Sequence, residues 1–171
     1  KNEGLNWSRL LAYTGLIAFK SDAAGSLEST LRYYFSHAAV YIVQCIRRIV
    51  NMLEDELGRL GIANCQLEKD CLIGDQVPDQ TGKFRILISD LSWPRFNSFL
   101  PDQTIFAELA MLVKMVLRSR LQFDVELRLR PEEIRPLVIG DESETKLGWS
   151  TWLGDDGDGV VVLEPEYQEN L

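Results

Sequence analysis

Residues 102–130 read DQTIFAELAMLVKMVLRSRLQFDVELRLR, and the fold class turns on a change of period inside this stretch. In its first half Ile105, Leu109, Leu112 and Val116 form one stripe and Phe106, Ala110, Val113 and Leu117 the adjacent one, with Glu108, Lys114 and Arg118 away from both. That spacing predicts a long, deeply packed helix capped by Asp102. After Ser119 and Arg120 the period falls to two: Phe123, Val125, Leu127 and Leu129 alternate with Asp124, Glu126, Arg128 and Arg130. Such alternation predicts a half-exposed strand in a mixed or antiparallel sheet.

Upstream, Lys83 to Ser89 reads as a second strand, with Phe84, Ile86 and Ile88 on one side and Arg85 on the other. Trp93 to Leu100 reads as a short helix with Pro94 in its first turn, stopped by Pro101. Ser26 is a candidate N-cap for a helix from Leu27 to Phe35 that places Leu27, Leu31, Tyr34 and Phe35 on one face. Residues Ala38 to Val50 are rich in β-branched and aromatic side chains and predict a strand covered on two sides. From Asn51 to Lys83 periodicity is lost among Gly58, Gly61, Gly74, Pro78 and Gly82, so irregular loops are expected. Val160 to Leu163 supplies one last short strand, after a solvated acidic loop at Asp141 to Glu144. Helices and strands follow one another without regular alternation, which favours α+β: a mixed or antiparallel sheet, one long packed helix and extended irregular loops.

A chain of 171 residues with 46% apolar and 26% charged residues is expected to build a single domain, residues 1–171, around one core. No apolar run approaches the roughly 20 residues of a membrane span, so direct membrane insertion is not expected and the chain reads as soluble and intracellular. The net charge of -8 is unevenly spread: residues 1–131 carry 16 Lys+Arg and 15 Asp+Glu, whereas residues 132–171 carry 2 and 11 and form an acidic tail. Without a basic face the chain cannot displace many counterions, and nucleic acid is an unfavourable partner. Cys45, Cys65 and Cys71 form an odd set with no CxxC pair, which fits free thiols in a reducing compartment.

Residues that carry chemistry are sparse. His37 is the single histidine and has no nucleophile motif beside it, so a capping or turn role suits it better than catalysis. Cys65 and Cys71 sit beside Glu68 and Asp70, which oppose thiolate formation. Asp155, Asp156 and Asp158 resemble part of a calcium loop, yet with Asp158 at position five the first and twelfth positions fall on Gly154 and Pro165, which lack carboxylates. The glycines are scattered and build neither a phosphate loop nor a dinucleotide fingerprint. No catalytic set, metal site or cofactor is therefore expected. The rival reading is a small cytosolic α+β enzyme or ligand-binding domain, its pocket assembled from distant residues such as His37, Asp90 and Arg130. The octapeptide Leu147-Gly148-Trp149-Ser150-Thr151-Trp152-Leu153-Gly154 is either an anchor of the fold or a hot spot for a partner.

The order of these motifs resembles the TssG (ImpH/VasB) family of type VI secretion baseplate subunits. The resemblance runs through Leu11-Ala12-Tyr13-Thr14-Gly15-Leu16, Tyr33-Tyr34-Phe35, Leu60-Gly61, Leu72-Ile73-Gly74-Asp75-Gln76-Val77, Phe84-Arg85-Ile86, Asp90-Leu91, Phe99-Leu100-Pro101, the long helix, Phe123 to Leu127 and the tryptophan octapeptide. It departs from the family where Leu72-Ile73-Gly74 replaces an LG element and Asp90-Leu91 a Gly-Pro-Leu, and the family's additional N-terminal helices are expected to be missing or to lie outside these residues. The resemblance implies a non-enzymatic scaffold at the cytoplasmic face of the bacterial inner membrane that joins two copies of TssF and contacts TssE and TssK. On that basis Asn51 to Lys83 and Ile139 to Lys146 are expected to face partners, with Leu72, Val77, Pro78, Phe99, Leu100, Pro101, Trp149 and Trp152 as interface candidates. For the two tryptophans the resemblance tilts the reading towards a structural anchor.

Overall fold

The computed structural model describes residues 23–36, 38–58, 64, 66, 74–117, 121–135, 146–152 and 157–165. Two compact units divide the chain: residues 1–44 together with 84–171, and residues 45–83. Among the described residues, no helix is long and apolar enough to cross a membrane.

In the larger unit, helix α1 (Ala23–Tyr34) leads into strand β1 (Ala39–Val43). Strand β4 (Lys83–Leu91, all but its first residue in this unit), helices α2 (Trp93–Ser98) and α3 (Thr104–Val116), strand β5 (Gln122–Leu129), a 3-10 turn at Pro131–Glu133 and strand β6 (Val160–Leu163) follow. The sheet order is β1-β4-β5-β6. β1 runs antiparallel to β4 with Ala39 opposite Ser89, and β5 antiparallel to β6 with Val125 opposite Leu163. Between β4 and β5 the partners keep a nearly constant separation in sequence: Phe84 stacks on Phe123, Arg85 meets Asp124, and Leu91 accepts from the Arg130 amide. A constant separation is the mark of parallel strands, and α2 and α3 form the crossover that such a pair requires. The sheet is mixed and the fold α+β, as the pattern of periods predicts.

Leu27 and Leu31 of α1, Ile86 and Ile88 of β4, Leu109 and Leu112 of α3, and Val125 and Leu127 of β5 are buried together in one core. Both apolar stripes read from residues 105–117 contribute: Phe106, Leu109, Ala110, Leu112 and Val113 are buried, and Ile105, Val116 and Leu117 pack partly against the core. Phe35 lies edge-on to Phe99 with ring centres 5.2 Å apart, so the chain leaving α1 is fastened to the end of α2.

Several local expectations are corrected. The region from Ala38 to Val50 is two strands, not one: β1 ends at Val43, Cys45 takes φ +60°, and Arg48–Asn51 forms β2 in a different sheet. β1 is also an edge strand, with Tyr41 47% exposed, and so is not covered on both sides. Ser26 lies inside α1, where its carbonyl accepts the Thr30 hydroxyl at 2.7 Å, and the cap of α3 is Gln103 rather than Asp102, whose carboxylate pairs with Lys146. Glu108 is half-buried and accepts the Tyr34 hydroxyl.

The largest correction concerns the polar face of β5. Asp124 is 1% exposed and Glu126 is also buried. Arg85 grips Asp124 through two bonds of 2.6 and 2.9 Å and reaches Glu126 at 2.8 Å, while Arg128 bonds the other Glu126 oxygen at 2.7 Å. The hydrogen bond to Asp124, with Glu126 adding to it, holds the Arg85 guanidinium well above its ordinary pKa. Alternation in the sequence identifies the two faces of the strand, but it cannot say that the charged face is closed by its own ion pairs.

Candidate partner-binding surface

In the smaller unit β2 (Arg48–Asn51) pairs antiparallel with β3 (Gln76–Asp79), so the region expected to be irregular contains a hairpin. Arg48 stands opposite Asp79 and Val50 opposite Val77 on one face, and Ile49 opposite Pro78 on the other. The pairing is extended by the Met52 amide, which donates to the Asp75 carbonyl at 2.8 Å, and by Gln76 Nε2, which donates to Asn51 Oδ1 at 3.1 Å.

The turn after β3 is an Asp-centred knot. The Asp79 carboxylate accepts the Thr81 amide and hydroxyl, both at 2.8 Å, and Arg48 Nε at 2.7 Å. These bonds, the Thr81 amide first, pull Asp79 down to about 2. Gly82 leaves room for this crossing: a Cβ there would lie 2.0 Å from Arg48 Nη2 and 2.5 Å from Asp79 Oδ2, so the pair would have to shift. Against one face of the hairpin lies a groove of about 570 Å³ lined by Val50, Met52, Asp55, Glu56, Asn64 and Val77.

The hairpin leaves apolar side chains in water. Ile49 is 68% and Leu53 65% exposed, and Pro78 is exposed as well. A two-stranded sheet has too little core to absorb such residues, which makes this face of the small unit a candidate contact surface. Val77 is half-buried in the groove wall, Pro78 stands beside Ile49, and Leu72 lies outside the described residues. Ile49 and Leu53 were not among the sequence candidates, because in the sequence they look like any other core aliphatics.

The larger unit turns its candidates inward. Phe99 and Leu100 are buried in the core and Pro101 is half-buried beside them. Trp149 and Trp152 are half-buried and pack on the core, Trp152 lying edge-on to Trp93 and 5.9 Å from the centre of the Phe96 ring. Trp152 is held so closely that a Cβ at Gly157 would come within 2.7 Å of it. The turn before it is tied internally: Ser150 Oγ accepts the Lys146 amide at 2.8 Å, and Gly148 takes φ +83°, which favours glycine. Among the described residues of this motif, Leu147 is exposed, at 87%. Of the expected partner-facing segment at 139–146, only Lys146 lies within the described residues.

Of the residues named for the rival pocket, Asp90 and Arg130 lie within the described residues. Asp90, at φ +60°, and Arg130 form a surface pair with bonds of 2.7 and 3.0 Å, which draws the carboxyl below its usual range, and His37 lies outside the described residues. A polar recess of about 410 Å³ includes Tyr34, Arg95, Ser98 and Glu108, but Tyr34 donates to Glu108, Arg95 to the Phe35 carbonyl and Ser98 to the Arg95 carbonyl. Cys45 is an exposed free thiol, whereas Cys65 and Cys71 fall outside the described residues. Among the described residues no group of three or more His, Cys, Asp or Glu is placed to hold a metal ion.

The sequence model of the family described as "Type VI secretion, TssG" matches residues 1–154. The chain belongs to the TssG family. Two solved structures share the TssG-family fold. One, described as the type VI secretion system TssK-TssF-TssG baseplate subcomplex, superposes with a TM-score of 0.71 at 19% identity and covers 98% of this chain and 72% of that one. The other, the baseplate complex from the type VI secretion system, superposes at 0.58 with 18% identity, covering 90% of this chain and 44% of that one. No curated protein matches this TssG-family sequence.

Proposed function

We propose that this TssG-family chain is a structural subunit of a type VI secretion baseplate, and that its 45–83 unit carries the contact with neighbouring subunits. Family membership supports the first part, together with the fold shared with chains of the TssK-TssF-TssG subcomplex. The second part rests on one observation: a small unit inserted between two paired strands, β1 and β4, keeps Ile49, Leu53 and Pro78 in water. In this reading the groove beside Val50 and Val77, on the face of the hairpin opposite Ile49 and Pro78, offers a second contact, and Leu72, Val77 and Pro78 serve the partner, whereas Phe99, Leu100, Trp149 and Trp152 hold the scaffold. The partners are TssF, in two copies, TssK and TssE, and the chain works without a cofactor at the cytoplasmic face of the inner membrane. The Arg85–Asp124 and Arg48–Asp79 ion pairs brace a strand and a turn, which suits a scaffold.

Co-purification tests the reading. The full chain, expressed with TssF, TssK and TssE, is expected to be recovered in one complex with TssF and TssK. Recovery of the folded chain alone, at concentrations where the other subunits associate with one another, overturns it. A block deletion of residues 61–80 is a poor probe, because it removes β3 and with it the partner strand of β2.

A further inference from the structure

Strand β1, one edge of the four-stranded sheet, is overlaid by side chains of helix α1. In an antiparallel ladder the N–H and C=O of one residue point to the same side, and successive residues alternate. Ile42 offers its N–H to Glu28 Oε2 at 3.3 Å and Val40 offers its carbonyl to Arg32 Nη2 at 3.0 Å, so residues 40 and 42 face away from β4 and define the free edge. Glu28 and Arg32 are four residues apart on α1 and bond to each other at 2.7 Å. The Val40 amide is occupied by the Ala38 carbonyl at 2.9 Å, so three of the four outward groups of residues 40 and 42 have partners within the chain. Arg32 also lies over the Tyr41 ring, 5.7 Å from its centre.

The strand beneath this pair is hazardous. Ala39-Val40-Tyr41-Ile42-Val43 has no charge, no proline and no glycine, and its Tyr41 and Val43 side chains are exposed. Uncharged β-prone edges of this kind recruit further strands, and an antiparallel pairing with an identical strand closes on itself as a two-fold dimer.

From this geometry we infer that the Glu28–Arg32 pair is an edge guard: it occupies the outward backbone groups of β1 and so prevents a second copy of this chain from adding its own β1 there. An i,i+4 ion pair adds little to a helix by itself. Its placement gives it the second role, since an acceptor faces the Ile42 N–H and a donor the Val40 C=O.

Two variants of the full chain separate guarding from support. Glu28→Ala with Arg32→Ala removes the guard. Glu28→Arg with Arg32→Glu keeps an ion pair on the helix but sets a donor against the Ile42 N–H and an acceptor against the Val40 carbonyl. Light scattering across a dilution series is expected to show both variants shifting to dimers and larger species at concentrations where the parent chain does not. Amide exchange at Ile42 in the dilute variants should be about tenfold faster than in the parent. Adding Val43→Lys to either variant should reverse the association, because a charge on the edge opposes pairing. Parent-like mass distributions in the charge-reversed variant overturn the inference. So does loss of its cooperative melting, which would make the pair a packing support.

Discussion

Two segments of this chain attract attention as possible interfaces, and the structure treats them in opposite ways. The tryptophan turn at 146–152 carries the larger and stickier side chains, yet it folds Trp152 against Trp93 and Phe96 and packs Trp149 on the core. The β2–β3 hairpin carries ordinary aliphatics and leaves Ile49 and Leu53 in water. What separates them is the supply of core: the larger unit has a sheet backed by helices in which aromatic rings can be buried, while a two-stranded hairpin has none to spare. Large apolar residues therefore mark an interface only where the fold cannot use them.

The comparison can be broken from its rigid side first. Arg85→Ala would leave Asp124 enclosed without its cation, and breaking a buried pair by removing one partner costs about 3 to 5 kcal/mol; denaturant unfolding monitored by the core is expected to report a loss of that order. An unchanged midpoint would mean that the ladder is not closed to water. Trp152→Ala removes a half-buried ring and should cost about 2 to 3 kcal/mol, below the range for a fully buried aromatic. Its binding to partners, measured on the folded fraction, should be unaltered. A Trp152→Ala chain with parental melting and lost binding would move the interface to the tryptophan turn.

How much of this was legible in the sequence follows from the range over which each signal acts. Residues 104–116 and 122–129 could be read because helix and strand periods are local and the apolar sets have no competitor. The break at Cys45 was not: residues 39–50 are β-prone throughout, and only pairing with two different partners, β4 and β3, splits them. Likewise the β2–β3 hairpin joins strands 24 residues apart, far beyond the two-residue turns that announce a hairpin. Asp124 and Glu126 looked solvated because their partner, Arg85, lies 39 and 41 residues away. The tryptophan octapeptide and the ordered motifs led to the family, but a motif records that residues are kept together, not which way they face.

Smaller effects sharpen the hairpin side. Gly82→Ala displaces Arg48 from Asp79, and hydrogen exchange across β2 and β3 should quicken by about two- to fivefold, the loss of an exposed ion pair, with global unfolding unchanged. Unchanged exchange would show that Arg48 has another way around the turn. The pH response should be smaller still. Asp79 has a folded pKa of about 2, below the unfolded value near 3.9, so it binds protons more readily when unfolded. Its contribution is thus fully present above pH 4 and is lost as pH falls through 2, and exchange at the Thr81 amide should rise over that window. A flat profile would deny the carboxylate its place at the centre of the turn.

The most direct measurement is the affinity of the full chain carrying Ile49→Asp and Leu53→Asp for TssF and TssK, beside its own unfolding curve. Both side chains are exposed, so stability should stay within about 0.5 kcal/mol of the parent. The account predicts that binding falls at least tenfold. Parental affinity in the same folded variant would contradict it.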